Sequence, residues 1–167
     1  VGIIGGTGSG KSTLIGLIPR FYDVKSGCVS VDGVNVKEYP FLQLRGQMGI
    51  VPQQSVLFSG TVRDNMKWGN KNATDEEIIK ALKIAQAYEF VSKLPKGLDS
   101  YVEQGGKNFS GGQKQRLRIA RGIATNPKIL ILDDSFSALD FATDAALRKA
   151  LKENTENMTV IIVTQRC

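Results

Sequence analysis

"GGTGSGKS", residues 5–12, packs four glycines around one lysine and follows directly on the apolar run Val1–Ile4. Gly5-x4-Gly10-Lys11-Ser12 is the spacing of a phosphate-binding loop. Such a loop needs backbone N–H groups that converge on the β- and γ-phosphates, and side chains would block that approach. Glycine also accepts the positive φ that a nest of N–H groups requires. Lys11–Ile18 has helical spacing and stops at Pro19, which cannot continue a helix. The local order is therefore strand, loop, helix, with the helix N-terminus adding partial positive charge. The expectation is that Gly6, Thr7, Gly8, Ser9, Gly10, Lys11, Ser12 and Thr13 surround the phosphates. Lys11 would neutralise the transferred group, and the Ser12 hydroxyl would bind Mg2+.

"ILILDD", residues 129–134, supplies the second half of such a site. A buried apolar strand that ends in acid delivers carboxylates to the carboxyl edge of a parallel sheet. There Asp133 would hold Mg2+ through water, and Asp134 would orient an attacking water as general base.

Between these two stretches the pattern changes character. "CVSVDGVNV" alternates around Asp32-Gly33, a hairpin signal, and "MGIVPQ" reads as a strand stopped by Pro52. Thr74–Lys93 is expected to be one helix, opened by Thr74 and Glu77 as a capping box, with Ile78, Ile79, Leu82 and Ala85 as its stripe. Ser110 is placed to cap a helix running to about Ala124. A strand at Ile129–Leu132, a helix over Thr143–Glu153 and a strand at Thr159–Val163 follow. The fold class is α/β with a mainly helical insert, and the loop's resemblance to P-loop NTPases implies a RecA-like core. The expected boundaries are core 1–53, helical insert 54–125 and core 126–167. Val1 stands already inside a strand, so the chain is read as a piece of a longer polypeptide, without the first strands and the C-terminal end.

The bulk properties agree. The chain has 167 residues, 41% hydrophobic and 23% charged, ordinary values for one globular domain. No apolar run reaches the roughly 18–20 residues of a membrane span. A net charge of +6 suits an anionic ligand, a membrane surface or nucleic acid, or simply a mildly basic domain. Cys28 and Cys167 are too few for a disulfide framework, which fits a reducing compartment. The chain has no histidine, which excludes a Ser-His-Asp triad and His-ligated zinc.

"NFSGGQKQR", residues 108–116, resembles the signature sequence of ATP-binding cassette (ABC) ATPases. Gly5–Ser12 before it and "ILILDD" after it stand in the family's order. "IVPQQ" is similar to the family's Q-loop, with Gln53 as its glutamine, and "SALD", Ser137–Asp140, to its D-loop. "TQR" at 164–166 lies where the family has a switch histidine. "VLFSGTVRDNM" and "LPKGLDSYVEQGG" resemble exporter-type cassettes, with Glu103 in what looks like their X-loop.

The resemblance implies ATP and Mg2+ as cofactors, with Ser12, Gln53 and Asp133 at the metal and Asp134, Gln53 and Gln165 in the reaction. It implies a head-to-tail pair with a second nucleotide-binding subunit, in which Ser110, Gly111, Gly112 and Gln113 contact the partner's ATP. It also implies a transmembrane domain in the same polypeptide or complex, at the cytoplasmic face of the plasma membrane, and multidrug export. Read bottom-up, a Ser cap followed by two glycines exposes helix N–H groups, an anion site in its own right.

Two positions depart from the family pattern. Asp133-Asp134 stands where the family has Asp-Glu, and Gln165 replaces the switch histidine. Asp is one methylene shorter than Glu, and a carboxylate about 1 Å short costs roughly 100-fold in rate. Gln165 can hydrogen-bond a γ-phosphate but cannot carry charge or shuttle a proton. The pair resembles the degenerate-site subunit of a heterodimeric exporter: slow at its own site, competent for its partner's. Two alternatives stand beside this. One is a DNA-repair or chromosome-structure ATPase of the same superfamily, against which Gln54–Asn108 shows no sustained heptad repeat. The other is a nucleotide-gated switch with negligible hydrolysis. The basic run Lys114, Arg116, Arg118 and Arg121 shares a helix with the apolar Leu117, Ala120 and Ala124, and is read as a solvated face with no nucleic-acid partner.

Overall fold

A computed structural model describes residues 1–165; Arg166, in the TQR stretch, and Cys167 lie outside the described residues. Strand β1 (Gly2–Ile4) enters the glycine loop, and helix α1 (Lys11–Gly16) leaves it. The helix is shorter than its spacing predicts. Arg20 takes a left-handed φ of 55°, and the Phe21 N–H reaches back to the Gly16 carbonyl at 2.8 Å. That contact turns the chain before Pro19 alone would have ended the helix. Strands β2 (Ser30–Val31) and β3 (Val34–Asn35) pair antiparallel, as the hairpin signal predicts. Asp32 and Gly33 between them have φ of 50° and 78°, the conformation a two-residue hairpin turn requires.

Helix α2 (Phe41–Gly46) and strand β4 (Met48–Val51) follow, then β5 (Gly60–Thr61) and α3 (Val62–Lys67). The helix predicted over Thr74–Lys93 is two helices, α4 (Asp75–Ile84) and α5 (Tyr88–Ser92). Thr74 and Glu77 do form the capping box. The break comes at Gln86, with φ of 58°, and the Ala87 N–H closes onto the Leu82 carbonyl at 2.7 Å. Apolar periodicity runs through Ala85 and Ala87, both fully buried, so the pattern alone does not mark this corner.

Strand β6 (Tyr101–Val102) pairs with β5, and α6 (Gly111–Ala124), β7 (Ile129–Asp133), α7 (Phe141–Asn154) and β8 (Thr159–Thr164) complete the order. The main sheet has four parallel strands in the order β1-β8-β7-β4. Its register sets Asp133 opposite Val163 and Leu132 opposite Val51. All four strands therefore end on one edge, which the glycine loop also joins. No helix among the described residues is long and apolar enough to cross a membrane.

The pleat of β7 divides the core. Leu130 and Leu132 face a large cluster that includes Met66, Ile78, Leu82, Leu117 and Leu147, whereas Ile131 faces Ile15, Ile161 and Val163. Burying each such side chain contributes about 1.5–3 kcal/mol. The seam between α6 and β4 is tight. A Cβ at Gly49 would lie 2.4 Å from the Gly122 carbonyl oxygen, and one at Gly122 would lie 2.7 Å from Val51 Cγ2. Gly49→Ala is therefore expected to cost about 2–3 kcal/mol. The corresponding loss in Tm is roughly 5–10 °C, read by thermal denaturation. An unchanged Tm would mean that α6 yields easily, and that this contact does not set its height above the sheet.

Candidate functional site

The carboxyl edge of the sheet carries a cavity of about 270 Å³. Its walls are Thr7 through Thr13 on one side and Gln53, Asp133, Asp134, Val163 and Gln165 on the other. The structure thus brings together every predicted phosphate, metal and catalytic residue except Gly6, which sits one residue outside the lining. Gly6 contributes its carbonyl, which accepts from the Ser9 hydroxyl at 2.9 Å and from Lys11 Nζ at 2.5 Å.

The glycines show what the loop is shaped for. Gly8 and Gly10 have φ of 78° and 84°, a conformation that disfavours any side chain. Gly6 has no such constraint, and a Cβ there would meet no atom within 4 Å. Packing within the protein does not demand glycine at Gly6, whereas a phosphate approaching the backbone does. Lys11 Nζ donates to the carbonyls of Gly5 (2.7 Å) and Gly6 and lies 3.2 Å from the Ser9 hydroxyl, so its ammonium is held at the loop's mouth.

Asp133 lies at the end of β7, only 7% exposed. Its carboxylate makes no hydrogen bond or ion pair with the described residues. The residue lines the cavity, so a cation bound there can meet its carboxylate. With the Ser12 hydroxyl and the Gln53 amide on the same cavity, the donor set is all oxygen, the chemistry Mg2+ prefers.

Asp134 is placed by backbone bonds. Its N–H donates to the Val163 carbonyl at 3.0 Å, its own carbonyl accepts from the Ser137 hydroxyl at 3.0 Å, and its φ is 47°. The turn aims its carboxylate toward the cavity, where Gln53 Nε2 approaches Oδ2 at 3.4 Å. Gln165 is held from the opposite wall, its Oε1 accepting from the Thr7 hydroxyl at 3.0 Å.

Two contributors are absent from the sequence reading. Thr7, assigned only to phosphate, also orients Gln165. Ser135, fully buried, donates to the Val51 and Asp133 carbonyls at 3.3 and 3.4 Å, tying the exit of β7 to that of β4. No local pattern announces a hydroxyl that bonds a carbonyl 84 residues away.

Ser110, Gly111, Gly112 and Gln113 are not among the residues lining this cavity. They form the capped start of α6, with Gln113 N–H to Ser110 Oγ at 3.2 Å and Ser110 N–H to Gln113 Oε1 at 2.9 Å. A Cβ at Gly112 would lie 3.5 Å from the Ala138 carbonyl, so this helix start abuts the Ser137–Asp140 segment. Asp140 closes that segment as the cap of α7, and hydrogen bonds from Thr143 hold its carboxyl below the usual carboxylate range.

The basic run on α6 is not the solvated face its charges suggest. Arg116 Nη1 donates to the Gln86 carbonyl at 2.7 Å with its guanidinium over Phe90, and Arg121 Nη1 donates to the Val56 carbonyl at 3.0 Å. Burial pulls the guanidinium pKa of Arg116, Arg118 and Arg121 below the ordinary value. Helix α6 lies between other elements, so Arg116 and Arg121 are spent on neighbouring backbone, while Arg118 Nη1 donates to the Gln115 side chain at 3.3 Å.

Residues 1–137 match the family described as ABC transporter. A multidrug export ATP-binding/permease protein of Staphylococcus aureus (strain NCTC 8325 / PS 47) is 48% identical over 166 residues, 99% of this chain and 29% of that protein. The ABC transporter ATP-binding protein YwjA of Bacillus subtilis (strain 168) is 46% identical over the same shares. Among solved structures, a bacterial Atm1-family ABC exporter with ATP bound superposes with a TM-score of 0.92 at 38% identity, over 99% of this chain and 29% of that one. The chain thus spans under a third of the length of the relatives it matches.

Proposed function

The chain belongs to the ABC transporter family, and from that membership we propose that it binds MgATP at the sheet-edge cavity and powers an exporter. The observation that carries this reading is the Asp133 carboxylate, without a partner among the described residues, on a cavity walled by a glycine loop whose Gly6 has no packing reason to be glycine. Gly6 through Thr13 hold the phosphates, and Ser12, Gln53 and Asp133 hold Mg2+. When bound, the metal offsets charge on the phosphate oxygens. Asp134 orients the attacking water and takes its proton. Gln165, steadied by Thr7, donates a hydrogen bond to the γ-phosphate.

The division into core 1–53, helical insert 54–125 and core 126–167 belongs to this proposal. So does the pairing. Ser110–Gln113 lie outside their own cavity, which supports their serving the ATP of a second nucleotide-binding subunit, head to tail. The short Asp134 and the chargeless Gln165 support a degenerate own site beside a different, competent chain. The name of the S. aureus relative and the exporter superposition support a transmembrane domain and multidrug export, and placement at the cytoplasmic face of the plasma membrane belongs to the same proposal. No nucleic acid takes part.

ATP binding and ATP turnover, measured separately for this subunit alone and with its partner, test the reading. The subunit alone is expected to bind MgATP tightly and turn it over slowly, with turnover rising when a partner is added. Several turnovers per second from this subunit alone would overturn the degenerate site. Binding with no hydrolysis in either arrangement would leave a nucleotide-gated switch.

A further inference from the structure

Of the side chains that the loop carries among its glycines, Ser9 and Lys11 are used within the loop itself. The Ser9 hydroxyl donates to the Gly6 carbonyl at 2.9 Å, and Lys11 Nζ donates to the carbonyls of Gly5 and Gly6. Thr7, between Gly6 and Gly8, does neither. Its hydroxyl donates to Gln165 Oε1 at 3.0 Å, and its side chain makes no other hydrogen bond with the described residues. A branched side chain stands here in a loop whose neighbours are kept bare, and its one polar contact lies 158 positions away.

A glutamine amide has two unlike ends of nearly equal size. The oxygen only accepts, and the NH2 group only donates. Phosphate oxygens are strong acceptors, so the amide serves one only with its nitrogen turned toward it. Half a turn about the last side-chain torsion exchanges the two ends, and that torsion is broad and roughly two-fold. Gln165 therefore needs a neighbour to choose between them. With its oxygen engaged by the Thr7 hydroxyl, Nε2 stays unengaged by the described residues, on a side chain that lines the cavity. Thr is stiff at χ1, so its hydroxyl is aimed at little entropic cost.

We propose that Thr7 is a positioning residue that sets the polarity of the Gln165 amide, and that this pair gives the site its preference for a nucleoside triphosphate over a diphosphate. A diphosphate lacks the group that the Nε2 end would meet. The inference rests on the reading of the cavity as a nucleotide site with Gln165 at the γ-phosphate.

In the full chain, calorimetric titration gives the affinity for MgADP and for the magnesium complex of an ATP analogue whose β–γ bridge is an uncleavable NH. The ratio of the two is the readout, because a general loosening of the loop weakens both ligands alike. A neutral hydrogen bond shifts an equilibrium by roughly two- to tenfold. Thr7→Val keeps the shape and removes the hydroxyl, and it should lower the triphosphate preference about fivefold, or about 1 kcal/mol. Thr7→Ser keeps the hydroxyl and should stay within about twofold of wild type. Gln165→Leu should lower the preference at least as far as Thr7→Val does. Thr7→Val added to Gln165→Leu should then lower it no further, whereas a purely structural threonine would add its effect in both backgrounds.

Should Thr7→Val not fold, Thr7→Ala takes its place with the same outcomes. An unchanged ratio in Thr7→Val, no rescue by Thr7→Ser, or additive losses in the double variant overturns the proposal. Equal affinity of the wild type for the two ligands overturns it as well, and leaves the nucleotide site standing. Absence of affinity for either ligand sinks the nucleotide reading and the proposal with it.

Discussion

Lys11→Ala is expected to lower MgATP affinity about 100-fold while leaving the fold standing. The ammonium now donates to the Gly5 and Gly6 carbonyls at the mouth of the loop. Those acceptors belong to the loop that walls the cavity, so the charge is in place before ligand arrives. A hydrogen bond to a charged group contributes about 1.5–3 kcal/mol. Two such bonds to phosphate oxygens, partly offset by the loop contacts given up, leave about 3 kcal/mol, or roughly 100-fold. The loop is mostly exposed, so Tm should move little. Calorimetric titration of MgATP together with a thermal melt separates the two effects. Affinity unchanged by the substitution would remove the foundation of the nucleotide site.

The second large effect is a gain. Asp134→Glu combined with Gln165→His should raise ATP turnover by roughly 100-fold, the cost ascribed to a reacting group misplaced by about 1 Å. The backbone bond from the Asp134 N–H to Val163 and the Ser137 hydroxyl on its carbonyl hold the turn, so an added methylene advances the carboxylate and not the chain. At Gln165 an imidazole can still accept from Thr7, and it adds a proton carrier. Because the wild type has no histidine, the variant alone should acquire a dependence of turnover on pH near about 6.5.

The gain has an opposing term. Residue 134 sits at φ 47°, which Asp tolerates better than Glu. Left-handed backbone costs ordinary L-residues about 1–2 kcal/mol, and Asp is partly spared. A difference of about 1 kcal/mol lowers Tm by roughly 2–4 °C for a chain of this size. Faster turnover with slightly lower Tm is thus the expected signature. Unaltered turnover with intact binding would show that neither residue limits the reaction.

How far these residues could be read in advance depended on the range of the interactions that place them. The glycine loop, the Asp32-Gly33 turn and the caps at Thr74 and Ser110 are all local. Each joins residues at most six positions apart, and each has the predicted geometry. The acid-ended strand was legible for the same reason, since a run of four apolar residues can only be buried. The short pieces were not. Strands β5 and β6 are two residues each and exist only because Gly60 meets Val102. The break at Gln86 is invisible in a periodicity that continues across it, and it is held by Arg116 from another helix.

The sequence by itself determined the phosphate loop, the class of fold and the identity of the two deviant residues, because local bonds depend on spacing alone. Only the tertiary structure decided that Thr7 holds Gln165 across 158 positions, that Gln53 meets Asp134, and that Arg116 and Arg121 of α6 serve neighbouring backbone. Those contacts arise from the register of a four-stranded parallel sheet and the glycine-thin seam between α6 and β4. A register is a property of strands once paired, and no spacing along one strand specifies it.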